Sequence, residues 1–115
     1  KLSDNLNIDL ANGMVHLFTT AESTTAVPNI RVDASTSLNS VMVIGESVVV
    51  TLITTANASA YSAHMTIDGV ARTEYWVGGS APSEGGSSGV DIHTFTIIKT
   101  ADATFTVIAN HSKTS

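Results

Sequence analysis

The sequence has 115 residues, enough for a single domain spanning 1–115 with its own hydrophobic core. Five Lys and Arg residues against ten Asp and Glu residues give a net charge of -5, which excludes the basic surface of a nucleic-acid-binding protein. The absence of Cys excludes disulfides, thiolate zinc sites and a Cys nucleophile, and no apolar run is long enough to span a membrane.

The composition favours strands over helices. Val, Ile and Thr together supply 37 residues, whereas Leu supplies only 6. β-branched side chains suit a pleated, half-buried surface. We therefore predict an all-β protein, an antiparallel β-sandwich or jelly-roll-like domain of about eight or nine strands. Because the first residue is Lys1 rather than Met, we expect a processed product or the C-terminal module of a longer polypeptide.

Short apolar runs separated by turn residues place the strands along the chain. In chain order the predicted strands are Leu6–Ala11, Met14–Thr19, Asn29–Asp33, Ser40–Ile44, Ser47–Thr55, Tyr61–Ile67, Val70–Val77, Val90–Lys99 and Thr104–Asn110.

Two dipeptides predict tight hairpins. Asn12-Gly13 separates the first two strands, and Asp68-Gly69 separates the sixth and seventh. Both dipeptides are typical of type I′ turns, in which the two central residues have positive φ. The first turn would place Leu10 opposite Val15.

A third hairpin is predicted at Ala101-Asp102, with Ile98 opposite Phe105. Its strands are apolar on both faces, as is the run Val48–Ile53. Such strands are either central in the domain, with layers on both sides, or have one face covered by another copy of the chain.

The candidate ligand-binding residues surround a glycine-rich segment, Gly78–Gly89, which is interpreted as either a flexible surface loop or a binding loop. If the Asp68-Gly69 turn has two residues, Tyr61 lies opposite Trp76 at the base of this segment. A Trp at this position is either a platform for stacking a sugar or an anchor in the core. The candidate binding residues are Trp76, Tyr61, Gly78, Gly79 and Ser80.

The sequence does not contain a set of residues that predicts catalysis. Asp91 and His93 lie on one face of a strand. They are interpreted as a solvated pair, or as two ligands of a divalent ion if a third came from elsewhere. His64 is assigned to a polar sheet face, and His111 to a frayed tail. We predict no catalytic residues, no metal, no cofactor and no enzymatic activity.

Two segments resemble a module of tailed-phage structural proteins, particularly the version in marine phages of cyanobacteria and related hosts. They are Tyr75–Pro82, with a Trp and a Gly-Gly-x-x-Pro loop, and the Asp-led alternating strand Asp91–Lys99. Upstream, the segments Ile8–Gly13, His16–Thr20 and Pro28–Arg31 match in style, so that the resemblance covers nearly the whole chain.

This resemblance implies a structural or adhesive role in the virion, as a tail-fibre or capsid-decoration module. The expected partners are copies of the chain and other virion proteins. One alternative is a receptor-recognition module that binds host surface glycan through Trp76. Another is a subunit of an extracellular filament in which Lys1–Leu10 is a donated strand.

Overall fold

The computed structural model describes all 115 residues and contains nine strands and three short helices. The strands are β1 (Asn7–Asp9), β2 (Val15–Ala21), β3 (Asn29–Arg31), β4 (Ser47–Thr55), β5 (Thr66–Ile67), β6 (Val70–Ala71), β7 (Glu74–Trp76), β8 (Val90–Ala101) and β9 (Thr104–Lys113). The helices are 3₁₀ turns at Leu2–Asp4 and Leu10–Asn12 and one α-helical turn, α1, at Leu38–Val41. The prediction of a mainly β protein is confirmed.

The strands form two mixed sheets, whereas the sequence predicts antiparallel ones. Four strands form one sheet in the order β1-β3-β5-β6, and five form the other in the order β2-β4-β8-β9-β7. The pairs β1/β3, β3/β5, β2/β4 and β7/β9 are parallel. Parallel partners need a long connection, and therefore short turn signals do not reveal them.

The predicted Asn12-Gly13 hairpin is wrong, because β1 and β2 belong to different sheets. The residues before Gly13 form a 3₁₀ turn, and Gly13 follows it with φ 120° and ψ 170°, a positive-φ conformation that favours glycine but is not that of a type I′ turn. This turn buries Leu10 in the core while Val15 stays exposed, so the predicted pairing of these two residues does not form. Burial of Leu10 therefore outweighs the local turn preference.

The predicted strand Ser40–Ile44 is also wrong, because α1 occupies its first half. The Ser37 hydroxyl accepts a hydrogen bond from the Ser40 amide at 3.1 Å and caps the helix. From a distant turn, the Asp68 carboxylate accepts from the amides of Leu38 and Asn39 at 2.7 and 3.0 Å. A partner about thirty residues away thus stabilises the helical turn.

The Asp68-Gly69 hairpin is confirmed, with φ of 53° and 78° at its two central residues and Ile67 opposite Val70. Its strands are shorter than predicted, since β5 begins at Thr66 and β6 ends at Ala71. The Arg72 guanidinium donates to the carbonyls of Ile67 and Ala103 at the point where the chain leaves for the other sheet.

The β8/β9 hairpin is confirmed with its turn displaced by one residue, to Asp102-Ala103. A bulge between Lys99 and Ala101 changes the register. Ile98 therefore lies opposite Thr106 and not Phe105. Next to the bulge, the buried Lys99 ammonium donates to the carbonyls of Asn39 and Met42 at 2.8 and 2.9 Å, an interaction that the turn sequence does not predict.

One hydrophobic core draws on both sheets. The four-stranded sheet contributes Ile8, Ile30 and Ile67, and the centre of the five-stranded sheet contributes larger groups such as Phe95. All 15 members are buried: Leu2, Ile8, Leu10, Ala26, Ile30, Leu38, Met42, Val50, Leu52, Met65, Ile67, Phe95, Ile97, Val107 and Ala109.

Candidate functional site

The two aromatic candidates, Trp76 and Tyr61, do not form the predicted cross-strand pair. Trp76 lies on β7, which pairs with β9, while Tyr61 precedes β5 and its carbonyl accepts from the Ala26 amide at 3.1 Å. The half-buried Trp76 ring packs against the core and meets Phe95 edge to face, with centroids 6.5 Å apart. This packing agrees with the core-anchor interpretation.

The other candidates, Gly78, Gly79 and Ser80, form an exposed turn directly after β7. The Gly79 amide donates to the Trp76 carbonyl at 3.0 Å. The φ values of Gly78 and Gly79 are 88° and 91°, a region that other residues rarely adopt. Gly78, Gly79 and Ser80 are thus accessible to solvent. Tyr61, however, lies in the segment before β5 and not on a strand next to β7.

Within the glycine-rich segment, two glycines pack against the fold, while Ser87–Gly89 are exposed like the surface loop that the sequence predicts. Gly85 and Gly86 are buried, and the Gly86 amide donates to both carboxylate oxygens of Asp91 at 3.0 and 2.9 Å. A Cβ at Gly86 would lie 2.6 Å from Asp91 Oδ1 and 3.0 Å from the Ser115 carbonyl oxygen. Glycine is therefore required here by close packing.

The interpretation of Asp91 and His93 as a solvated pair is wrong, because both side chains are buried. His111 is not in a frayed tail but on β9, opposite His93. The two imidazoles stack with centroids 4.6 Å apart and planes at 25°, and His111 Nε2 lies 3.6 Å from Asp91 Oδ2. We call Asp91, His93 and His111 the buried histidine cluster.

The electrostatics of this cluster disfavour a proton on His93. Burial is the largest effect, and it lowers the pKa of His93 from 6.5 to about 4. Repulsion from His111 lowers this pKa further, and attraction to Asp91 partly opposes it. Neither ring nitrogen of His93 has a hydrogen-bond partner. His93 is therefore a neutral buried imidazole at pH 7.

His93 also faces a narrow crevice whose wall includes Glu22, Thr54 and Ser62. The Glu22 carboxylate accepts from the amides of Leu2 and Ser3 at 2.9 and 3.3 Å. This bonding fixes the N-terminal segment. His93 makes no hydrogen bond to the neighbouring hydroxyls.

No three His, Asp or Glu side chains converge in a geometry that could hold a metal ion. His111 lies close enough to Asp91 to be considered a third ligand, but its ring stacks on His93. The exposed His64, in contrast, lies before β5 and its Nδ1 is 3.5 Å from Glu74.

The other feature that stands out is the solvent side of the five-stranded sheet, opposite the core. Strand alternation and register bring its apolar residues into rows, such as Leu17-Ile53-Ile92 and Val49-Thr96-Ile108-Tyr75. We call this surface the outer face; its residues are Val15, Leu17, Ser47, Val49, Thr51, Ile53, Thr55, Tyr75, Val90, Ile92, Thr94, Thr96, Ile98, Thr106, Ile108, Asn110 and Ser112.

The outer face contains no Asp, Glu, Lys, Arg or His. Several large apolar side chains on it are well exposed, among them Leu17 at 63%, Val49 at 49% and Tyr75 at 62%. The sequence predicts the two-sided apolar character of β4 and β8, and the structure shows that one side is the core and the other is open to solvent. Exposed apolar patches of this kind are typical of interaction surfaces.

Comparisons with protein-family models, with curated proteins and with solved structures find no significant match for this chain. The fold has no helix with the length and apolar composition needed to cross a membrane.

Proposed function

We propose that the chain is a non-enzymatic structural module of a tailed-phage virion, a tail-fibre or capsid-decoration type, that assembles with copies of itself and other virion proteins through its outer face. The sequence resemblance supports the class of protein. The single structural observation that carries the proposal is the outer face, which is apolar and hydroxyl-rich and carries no formal charge at neutral pH.

The architecture that we infer for this role is a two-layer β-sandwich. A continuous core of buried residues from both sheets supports this inference, because two sheets that share one core pack face to face. The inner side of the five-stranded sheet would then be buried in the core, and the outer side would be free for assembly.

The size of the outer face suits a stable contact. The strands of this sheet range from 3 residues in β7 to 12 residues in β8. At about 3.3 Å per residue and about 4.8 Å between strands, the sheet covers about 650 Å². A standard interface buries about 800 Å² on each partner. A face of this size could be covered by one further copy of the chain.

The charge distribution favours a second copy as the partner. The chain carries a net charge of -5, but none of its charged side chains lies on the outer face. In a contact between identical faces, any charge near the symmetry axis meets its own copy and repels it. An uncharged face avoids this cost.

Lysine substitutions on the outer face test the proposal. In light scattering coupled to size exclusion, we expect the wild-type chain to be oligomeric at micromolar concentration. Val49→Lys should weaken association at least about 30-fold, because a charge would lose hydration in the contact. The matched control is Val70→Lys, at an exposed valine on β6 of the other sheet, which should leave association unchanged. A monomeric wild-type chain, or equal effects of both variants, would contradict assembly through this face.

The virion assignment is tested separately. Mass spectrometry of purified particles of the phage that encodes the chain should detect it in a fixed ratio to the major capsid protein. Labelled antibody should then locate it on the tail fibre or the capsid. Its absence from intact particles would contradict the assignment whatever the oligomeric state.

The two alternative functions, glycan binding through Trp76 and strand donation by Lys1–Leu10 in a filament, have less structural support. A glycan platform requires an open Trp76 face, but this ring is half-buried against Phe95. Strand donation requires a free N-terminal segment, but Ile8 on β1 pairs with Ile30 of the same chain. The Glu22 contacts hold the first residues in place as well.

A further inference from the structure

The buried histidine cluster lies at one end of the five-stranded sheet, where β8 begins and β9 ends. Within this cluster a proton on His93 would have no acceptor within hydrogen-bond distance. If both stacked imidazoles were protonated, two like charges would lie with ring centroids 4.6 Å apart in a buried site. The cluster therefore accommodates a neutral His93, and a proton on His93 requires a rearrangement.

The other charged and titratable groups around the cluster do not relieve this constraint. Glu22 is already bonded to two backbone amides, and Lys113, opposite Asp91, pairs with Glu84 at 2.9 Å. The titratable groups around His93 come from several elements. Within the five-stranded sheet they are Asp91 on β8, His111 and Lys113 on β9, and His16 on β2, which is separated from His93 by Leu52. Glu22, after β2, and Tyr61, before β5, line the crevice that His93 faces.

The cluster is directly connected to the glycine-rich segment. Asp91, which neighbours His111, accepts the Gly86 amide with both carboxylate oxygens. Gly85 and Gly86 lie so close to Asn57, Ala60 and Ser115 that there is no space for a side chain. Any movement of Asp91 towards a protonated imidazole would therefore break the contact that holds this segment.

We propose that Asp91, His93 and His111 form an acid-sensitive switch: when His93 takes up a proton, the stacked rings separate, Asp91 turns to the charged imidazole, and the glycine-rich segment is released together with the end of β9. At neutral pH the cluster holds the segment closed. The switch operates within one chain and does not depend on the proposed assembly.

Hydrogen–deuterium exchange at about pH 7.5 and about pH 5, corrected for intrinsic rates, tests the switch. Because the pKa of His93 is 6.5 when unperturbed and about 4 in the closed state, protection over residues 85–93 and 110–114 should fall about 30-fold at the lower pH. The Trp76 fluorescence should stay constant, since Trp76 packs on Phe95 and pairs with Ala109, and both partners lie outside the released residues. Constant protection at both pH values, or loss of the Trp76 signal in parallel, would overturn the proposal.

Substitutions assign the effect to the cluster. His93→Phe preserves a flat ring without a titratable group and should keep the segment protected at about pH 5. The control His64→Phe, at a side chain that is 73% exposed, should behave as wild type. A wild-type response in His93→Phe would overturn the assignment.

If His93→Phe does not fold, His111→Phe serves in the same assay. In addition, an NMR titration of the wild-type chain should give the Gly86 amide the same midpoint as a histidine of the cluster. Different midpoints for Gly86 and both histidines would contradict the switch.

Discussion

At the scale of single residues, three charged side chains, Glu22, Asp91 and Lys99, are buried and bind backbone groups. The Lys99 ammonium donates to two carbonyls at the end of α1, and the Glu22 carboxylate accepts two amides at the N-terminus. Burying a charge without such partners is costly. The residue pattern alone did not identify these groups, because their partners are carbonyls and amides far away in the sequence.

A substitution of Trp76 distinguishes its role as an anchor in the core from a role as a platform for stacking a sugar. We expect Trp76→Ala to lower the free energy of unfolding by about 3 kcal/mol, because it removes a large ring packed on the core. Urea unfolding measures this loss, and a glycan array with the folded variant measures binding. An unchanged stability together with lost glycan binding would contradict the anchor and support the receptor-recognition alternative.

His93 makes stability depend on pH. Its pKa is lowered from 6.5 to about 4 in the folded state, so the stabilisation is complete above pH 6.5 and is lost as the pH falls towards 4. The expected loss across this range is about 3 kcal/mol. Denaturant unfolding at several pH values should show it in the wild type and not in His93→Phe. A similar slope in both proteins would mean that other groups cause the dependence.

At the scale of elements, local turn chemistry predicted some hairpins and not others. The Asp68-Gly69 and β8/β9 hairpins were predictable because the strands on either side pair directly with each other. Asn12-Gly13 has an equally good local signal, but Leu10 is buried and the flanking strands join different sheets. Local preference therefore decided the outcome only where tertiary packing agreed with it.

The glycine-rich segment yields a prediction at this scale. Gly86→Ala should destabilise the fold by more than Gly79→Ala, although Gly79 has the positive φ. At Gly79 the added Cβ meets open space, so that only backbone strain of about 1 kcal/mol is expected. At Gly86 the Cβ would displace the Asp91 carboxylate. Thermal unfolding of both variants measures the difference, and an equal or smaller loss at Gly86 would contradict this packing.

At the scale of the whole molecule, pairing is dominated by contacts between distant segments. β2 and β4 pair with each other although β3 lies between them in the sequence. In the same way, β7 and β9 pair although β8 lies between them in the sequence. Such non-local pairing makes folding slow relative to helical proteins of the same length.

The proposed assembly through the uncharged outer face leads to a prediction about salt dependence. Its association should change less than about threefold between about 0.05 M and about 0.5 M NaCl, because screening affects charged contacts and this face has none. Sedimentation at several concentrations and both salt levels measures the dissociation constant. Dissociation by salt would indicate a contact made by ion pairs, at a surface other than the outer face.

The sequence by itself determined the β-rich fold, the two hairpins with partners adjacent in the chain, and the two-sided apolar character of β4 and β8. These features depend on side-chain type and short-range backbone geometry. Only the tertiary structure decided the mixed sheets, the helical turn at Leu38–Val41 and the burial of Asp91 with His93 and His111. Those outcomes depend on which distant groups meet, since a strand residue's solvation is set by the elements that cover it.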